Sequence, residues 1–398
     1  MTTEFGTGIA KGENSFEVGK LAAQQAISKI KREVNLSIVF SSSKYNYNEV
    51  VKGVRAITDA PLIGCSTAGE FTEEKVEKES VAVATISSDS CKFFLGMNGG
   101  LRKDPLGCIQ DIDAHIFIPE EDMRNFPNRS VLILGDGLAG RGEELATSAG
   151  MTFNTKIIGG TAGDDLKMKE TYVFMNDDVR NDAVSACEIL SKTPIVFGVK
   201  HGHTPISPLL KITKASEDVV YEVDNKPAWE VWKEHCGEDA KKTLGLDVNE
   251  IKSPTDIGKV LTAYELGIQA GSEYIIRWPG SSLNATKDGS LNFATTISEG
   301  TRIRVMRSTK ENQIKSAKEA AKKAISQIGK DNIAGALVFD CCVRDIILQD
   351  DFPKAVKGIN DVLGVPLIGF ETYGEIGMKV GDPSGFHNTT TVVALIPK

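Results

Sequence analysis

The sequence predicts an α/β protein of two domains, each with mixed β-sheets and flanking helices, built from repeated helix-strand-helix-strand units. Two alignments within the chain carry this prediction. Residues 49–70, EVVKGVRAITDAPLIGCSTAGE, match residues 354–375, KAVKGINDVLGVPLIGFETYGE, without gaps and with ten identities. Upstream, AAQQAISKI at 22–30 matches AAKKAISQI at 320–328, and each is followed by an apolar run, LSIVF at 36–40 or GALVF at 335–339. A repeat of this kind is one supersecondary unit used more than once.

Taken in order, the first copy supplies a helix around 22–30, a strand at 36–40, a helix over the VKG segment and a strand ending in PLIG. A fainter middle copy follows. VLILG (131–135) reads as a strand, and KIIGGTAGD (156–164) echoes PLIGCSTAGE with one residue fewer. In the last copy Ile314, Ala317, Ala321, Ala324 and Ile328 fall on one apolar stripe at helical spacing, opposite a lysine-rich face. β-rich stretches such as SVAVATIS (80–87), DAVSACEI (182–189), PIVFGVK (194–200) and TTVVALI (390–396) close the units. A polar stretch, Glu222 to Pro227, places a domain boundary near 224: residues 1–224 hold two repeat units and residues 225–398 one. The segment 237–260 is polar and reads as a surface excursion.

Composition narrows the function. The 398 residues carry 54 acidic and 46 basic side chains, a formal charge of −8, with the basic residues scattered. That lacks the electrostatic footprint of a nucleic-acid-binding protein. No apolar run approaches the ~20 residues of a membrane span, and the first residues have no leader pattern, so a cytoplasmic protein is expected. Seven cysteines without a C-x-x-C read as reduced thiols, and the five histidines show no zinc spacing, so no metal is expected.

Several short signals bear on chemistry. Gly135-Asp-Gly-Leu-Ala-Gly140 has the form of a dinucleotide fingerprint, but Asp136 would set a carboxylate where a pyrophosphate must approach, which favours a tight turn. The repeated T-x-G-E loops are richer in the last copy. There Thr372, Tyr373 and Glu375 offer a hydroxyl, a phenol and a carboxylate to a small polar ligand. Phe339-Asp-Cys-Cys-Val-Arg344 ends a strand, where α/β folds open their crevices; Arg344 could grip a carboxylate and Cys342 supply a thiol. His387 and Asn388 stand before the last strand and could face the same pocket. His201-Gly-His203 closes a strand, where hydrogen-bonding histidines are the plainer reading than a metal site. An enzyme using Cys342 or Glu375 is an alternative without a hydrolase, Walker or kinase motif behind it, so no enzyme is expected.

Together, PLIGCSTAGE, Gly135-Asp-Gly-Leu138, IIGGTAGD and Val199-Lys-His-Gly202 resemble the N-terminal FIST domain. Asn225-Lys-Pro-Ala-Trp-Glu-Val-Trp232, Ile276-Arg277, Glu299-Gly300, Cys342-Val-Arg344, Pro366-Leu-Ile-Gly369, Tyr373-Gly-Glu-Ile-Gly377 and His387-Asn388 resemble the C-terminal FIST domain. The resemblance spans essentially the whole chain. It implies an intracellular sensory module for a small ligand, such as an amino acid or a derivative, with output through a partner such as a histidine kinase or chemoreceptor. One branch of the family is described as binding haem and sensing nitric oxide. For that alternative His201 is the candidate axial residue; otherwise no cofactor is expected.

Overall fold

The structure, a computed structural model, describes residues 2–280, 285 and 287–398. Three successive units share one layout. The first runs strand Thr3–Ala10, helix Ser15–Ser28, strand Leu36–Ser42, helix Tyr47–Arg55, strand Leu62–Thr67 and strand Val81–Ser88. In the second the corresponding elements are Cys91–Gly99, Pro105–His115, Asn128–Gly135, Gly142–Phe153, Lys156–Thr161 and Ala183–Ser191. The third uses Val196–His201, Lys310–Ile328, Ile333–Cys341, Phe352–Leu363, Leu367–Thr372 and Thr390–Pro397. In the sheet of each of these three units the strands lie in the order first, last, second, third, and only the second and third are parallel.

Each unit therefore opens with a strand that the helix-first reading did not place there; in the third unit the β-rich PIVFGVK, read as closing a unit, opens one. Its concealment has a local cause in the first unit, where Gly6 and Gly8 interrupt the apolar pattern. A Cβ at either would stand 2.1 Å from a carbonyl oxygen of helix Ser15–Ser28, so the glycines let the helix lie close on the strand.

The units are joined by exchange. After its third strand, each chain segment crosses to a neighbouring sheet and adds a fifth strand there. Glu70–Thr72 pairs with Leu367–Thr372 of the third unit, Gly374–Met378 of the third pairs with Lys156–Thr161 of the second, and Val173–Met175 of the second pairs with Leu62–Thr67 of the first. The circle closes. The inner sheet faces meet in one core where Phe370 lies 4.4 Å from Phe40 and 5.9 Å from Phe339, between ring centroids. Helices cover the outer faces, so the strands are buried on both sides, which is why they read as continuous apolar runs.

One glycine recurs for a single reason. Gly64, Gly159 and Gly369 lie opposite Val39, Ile133 and Val338, and a Cβ would stand 2.1, 1.8 and 2.6 Å from the carbonyl oxygens of those residues. Helix starts are capped as their sequences suggest, by Asn14, Asn46 and Thr309. In helix Lys310–Ile328 the stripe residues Ala317, Ala321 and Ala324 are wholly buried, with Ile314 and Ile328 packed beside them.

Between the first strand and first helix of the third unit, residues 203–308 form a further antiparallel sheet. Helices Ala228–Thr243 and Pro254–Ala263 cover it, with Trp232, Ile257 and Leu261 in its core. Parts of the polar excursion thus become helix. Asp224 lies in a turn of this sheet, and strands from either side of it share sheets. No helix of the described residues is long and apolar enough to cross a membrane.

Candidate functional site

The crossings between sheets bring the three repeated loops together. Ala68 N–H donates to the Glu371 carbonyl, Gly163 N–H to Ser66 and Tyr373 N–H to Thr161. Glu70 and Glu375 are wholly buried and hold these crossings in shape. Glu70 accepts from the hydroxyls of Thr67 and Ser80; Glu375 accepts from the Thr372 hydroxyl and, at 3.1 Å, from Thr390 N–H. Burial pushes the Glu375 carboxyl well above the usual carboxylate range. Thr372 and Glu375 are thus wholly buried structural partners of one another.

Arg344 is also wholly buried. Its Nε donates to Asp340 at 2.6 Å, Nη1 to Ser316 at 3.0 Å and to the Gln313 side chain, and Nη2 to the Gln313 carbonyl at 3.0 Å. Asp340 also accepts from Thr391 at 2.9 Å. With all three guanidinium nitrogens bonded and the side chain wholly buried, Arg344 pins the strand end to helix Lys310–Ile328 rather than facing a ligand.

Other candidates do meet at a cleft of about 160 Å³ where the second and third units and the 203–308 segment converge. Cys342, Tyr373 and Asn388 line it, beside Val343, Phe386, Trp278 and the Gly137–Gly142 loop. The Tyr373 phenol donates to Asp164, and burial followed by that carboxylate pushes its ionisation up. Asp164 also accepts from the N–H groups of Met168 and Lys169 at 3.0 and 2.6 Å. That fixes a loop in which Asp165, Leu166 and Met168 take φ of 54°, 60° and 53°. Such left-handed non-glycine residues cost of order 1–3 kcal/mol each and cluster at functional sites. Leu166 and Met168 form the exposed apolar rim of the cleft.

Trp278 supplies the cleft's unanswered polar atom. Its indole Nε1 is buried, with no hydrogen-bond partner among the described residues. The neighbouring Arg277 anchors this wall by donating to the Phe386 carbonyl at 2.9 Å and to Glu143. Sequence reading missed Trp278, Leu166 and Met168, since an aromatic at a strand end and two apolar loop residues carry no spacing signal.

The Gly135–Gly140 loop forms one wall, and its chemistry is that of a turn. Asp136 accepts from Leu138 N–H at 2.9 Å, Asp182 N–H at 2.6 Å and the Thr171 hydroxyl, occupying the donors a phosphate would need. Gly137 is required because a Cβ would stand 1.9 Å from the Ala162 carbonyl oxygen.

His201 and His387 lie apart from this cleft, in a second one. His201 Nδ1 accepts from His203 N–H at 3.2 Å, which leaves the ring proton on Nε2. An axial haem ligand needs the opposite arrangement, a proton-free nitrogen toward iron and a donating one behind it. His201 as it stands does not fit that role.

Two family models match the chain, FIST N domain over residues 35–226 and FIST C domain over 228–378. An uncharacterized protein of Methanocaldococcus jannaschii is 25% identical over 365 residues, covering 84% of this chain and 67% of the relative. Among solved structures, T. maritima PurL complexed with ATP aligns over 99% of this chain and 71% of that one, at 12% identity and a TM-score of 0.21, too slight to argue from. The two family models together leave little of the sequence unmatched, and the chain belongs to the FIST family, whose domains serve as sensory domains in signal transduction.

Proposed function

We propose that this chain binds a small amino-acid derivative without turnover in the cleft between Trp278, Cys342 and Tyr373, and reports occupancy to a cytoplasmic partner such as a histidine kinase or chemoreceptor. The observation that carries the proposal is the orphaned Trp278 N–H in a largely apolar cleft. A buried unpaired donor costs about 1–3 kcal/mol, which a ligand acceptor would recover. The volume of about 160 Å³ suits an amino-acid-sized molecule and lies below the ~300–1,000 Å³ of sites for larger ligands.

Charge refines the class. With Arg344 committed to Asp340, none of the described residues lining this cleft is Arg or Lys, so a free carboxylate would go unpaired. A ligand with its carboxylate masked as an amide or ester fits better, its carbonyl accepting from Trp278. Binding without turnover agrees with Glu375 being wholly buried and outside the lining of the cleft. Because the walls come from the second and third units and from the 203–308 segment, a ligand that prefers one arrangement of these parts shifts the population.

The test is a thermal-shift and tryptophan-fluorescence screen of N-acetylated amino-acid amides and esters beside the free amino acids. Selective stabilisation by masked compounds is expected, weakened at least tenfold in affinity by Trp278→Phe. Preference for free amino acids, or binding unchanged in Trp278→Phe, would sink the reading.

A further inference from the structure

We propose that the second cleft, between strand Val196–His201, the turn before Glu273 and the 377–387 hairpin, is a separate binding site for a compact dianion, a phosphate or a short dicarboxylate. It has a volume of about 450 Å³ and is lined by Lys200, Lys323 and Lys379 together with His201, His387 and Tyr274.

The acidic groups at its edge are already engaged. Glu273 pairs with Lys200 at 2.9 Å, and Asp382 accepts from the Lys379 backbone N–H at 2.8 Å, closing the hairpin loop. Lys323 and Lys379 meet no carboxylate within 4 Å among the described residues. Lys379 instead lies 5.9 Å over the Phe197 ring. Two ammonium groups therefore face one cleft without a direct ion-pair partner, while Glu273 and Asp382 act on Lys323 only from beyond contact distance. A phosphate or dicarboxylate with two negative charges would answer both, whereas a single carboxylate would answer one.

The neighbouring groups register the same positive potential. Burial and then His203, Lys200 and His387 push His201 down to about 3. Burial, with Arg277 and Lys323 opposing protonation, takes His387 to about 4. Lys323 is lowered by burial and by Lys200 and Lys379, with Glu273 and Asp382 opposing. The two rings stay neutral and add hydrogen-bonding faces: His387 Nε2 is tied to the Gly377 carbonyl at 3.1 Å, which turns its Nδ1 outward as an acceptor for a protonated phosphate or carboxyl oxygen.

This site shares no lining residue with the Trp278 cleft, and different residues are altered to test it. Inorganic phosphate, succinate and acetate would be titrated into the full chain at matched ionic strength, with binding read by calorimetry and thermal shift. Saturable binding of phosphate, of succinate or of both is expected, with acetate at least tenfold weaker. Which dianion binds identifies the source. Lys323→Gln/Lys379→Gln is expected to weaken that binding tenfold or more, while Lys92→Gln, at a lysine beside Phe126, leaves it unchanged. Both altered side chains reach solvent, so the fold survives the change. Absence of saturable dianion binding, acetate binding as tightly, or full affinity in the double variant would overturn the proposal.

Discussion

Tyr373 donates its phenolic hydrogen to Asp164, a residue 209 positions earlier in the chain, and so ties the loop of the third unit to that of the second. The same carboxylate holds the backbone of the 164–170 loop, so a single side chain joins the floor of the Trp278 cleft to its rim.

Removing that phenol should loosen the rim before it harms the fold. Tyr373→Phe is expected to cost about 1 kcal/mol of stability. It should also raise amide exchange across residues 164–171 selectively. Exchange measured by mass spectrometry checks this; a uniform increase over the whole chain, or none, counts against the link.

The Arg344–Asp340 pair should matter through burial. Arg344→Met leaves the Asp340 carboxylate without its partner at a fully buried position and should destabilise by roughly 3–5 kcal/mol. Adding Asp340→Asn should recover a large part of that loss, since the stranded charge is then gone. Urea unfolding of both single variants and the double variant measures the coupling.

Glu70 gives the stability profile a direction with pH. Burial raises its carboxyl to about 8 in the folded chain, against an unfolded value near ~4.3. Between those values the folded state keeps a proton that the unfolded state has released. Stability from this group is therefore complete below about pH 4.3 and is lost as pH rises toward 8, by at most about 1.4 kcal/mol per pH unit. Glu70→Gln should flatten the profile between pH 5 and pH 8, and an unchanged slope in denaturant unfolding would show that another group is responsible.

Gly159 should tolerate no side chain. It combines φ of +149° with a Cβ position 1.8 Å from a backbone carbonyl oxygen. Gly159→Ala should cost more than about 2 kcal/mol, because backbone has to shift. Thermal unfolding beside a control such as Gly258→Ala, where nothing lies within 4 Å, isolates the effect.

Much of the fold was legible because the repeat announces itself. The identical P-L-I-G and T-x-G-E segments mark the third strand and the crossing that follows it, and the apolar runs mark strands buried on both faces. The exchange was not legible, since Glu70–Thr72 and Val173–Met175 have three residues each and show no period. At the site, Cys342, Tyr373 and Asn388 do converge on one cleft, while Arg344, Thr372 and Glu375 turn inward. For Arg344 a signal existed: Asp340 precedes it by four residues, the spacing at which a side chain can reach back to its own partner. Trp278 had none, because its meaning lies in a hydrogen bond it does not make within the chain.

The strand exchange also governs how the protein can be cut. A break between the two family domains, near residue 227, would separate Glu70–Thr72 from Leu367–Thr372, Gly374–Met378 from Lys156–Thr161 and Val196–His201 from Thr390–Pro397. Each fragment would then carry open sheet edges whose complement sits on the other, and open edges recruit strands. Alone, the fragments should be prone to aggregate; expressed together, they should behave as halves of a split protein, each completing its partner's sheets.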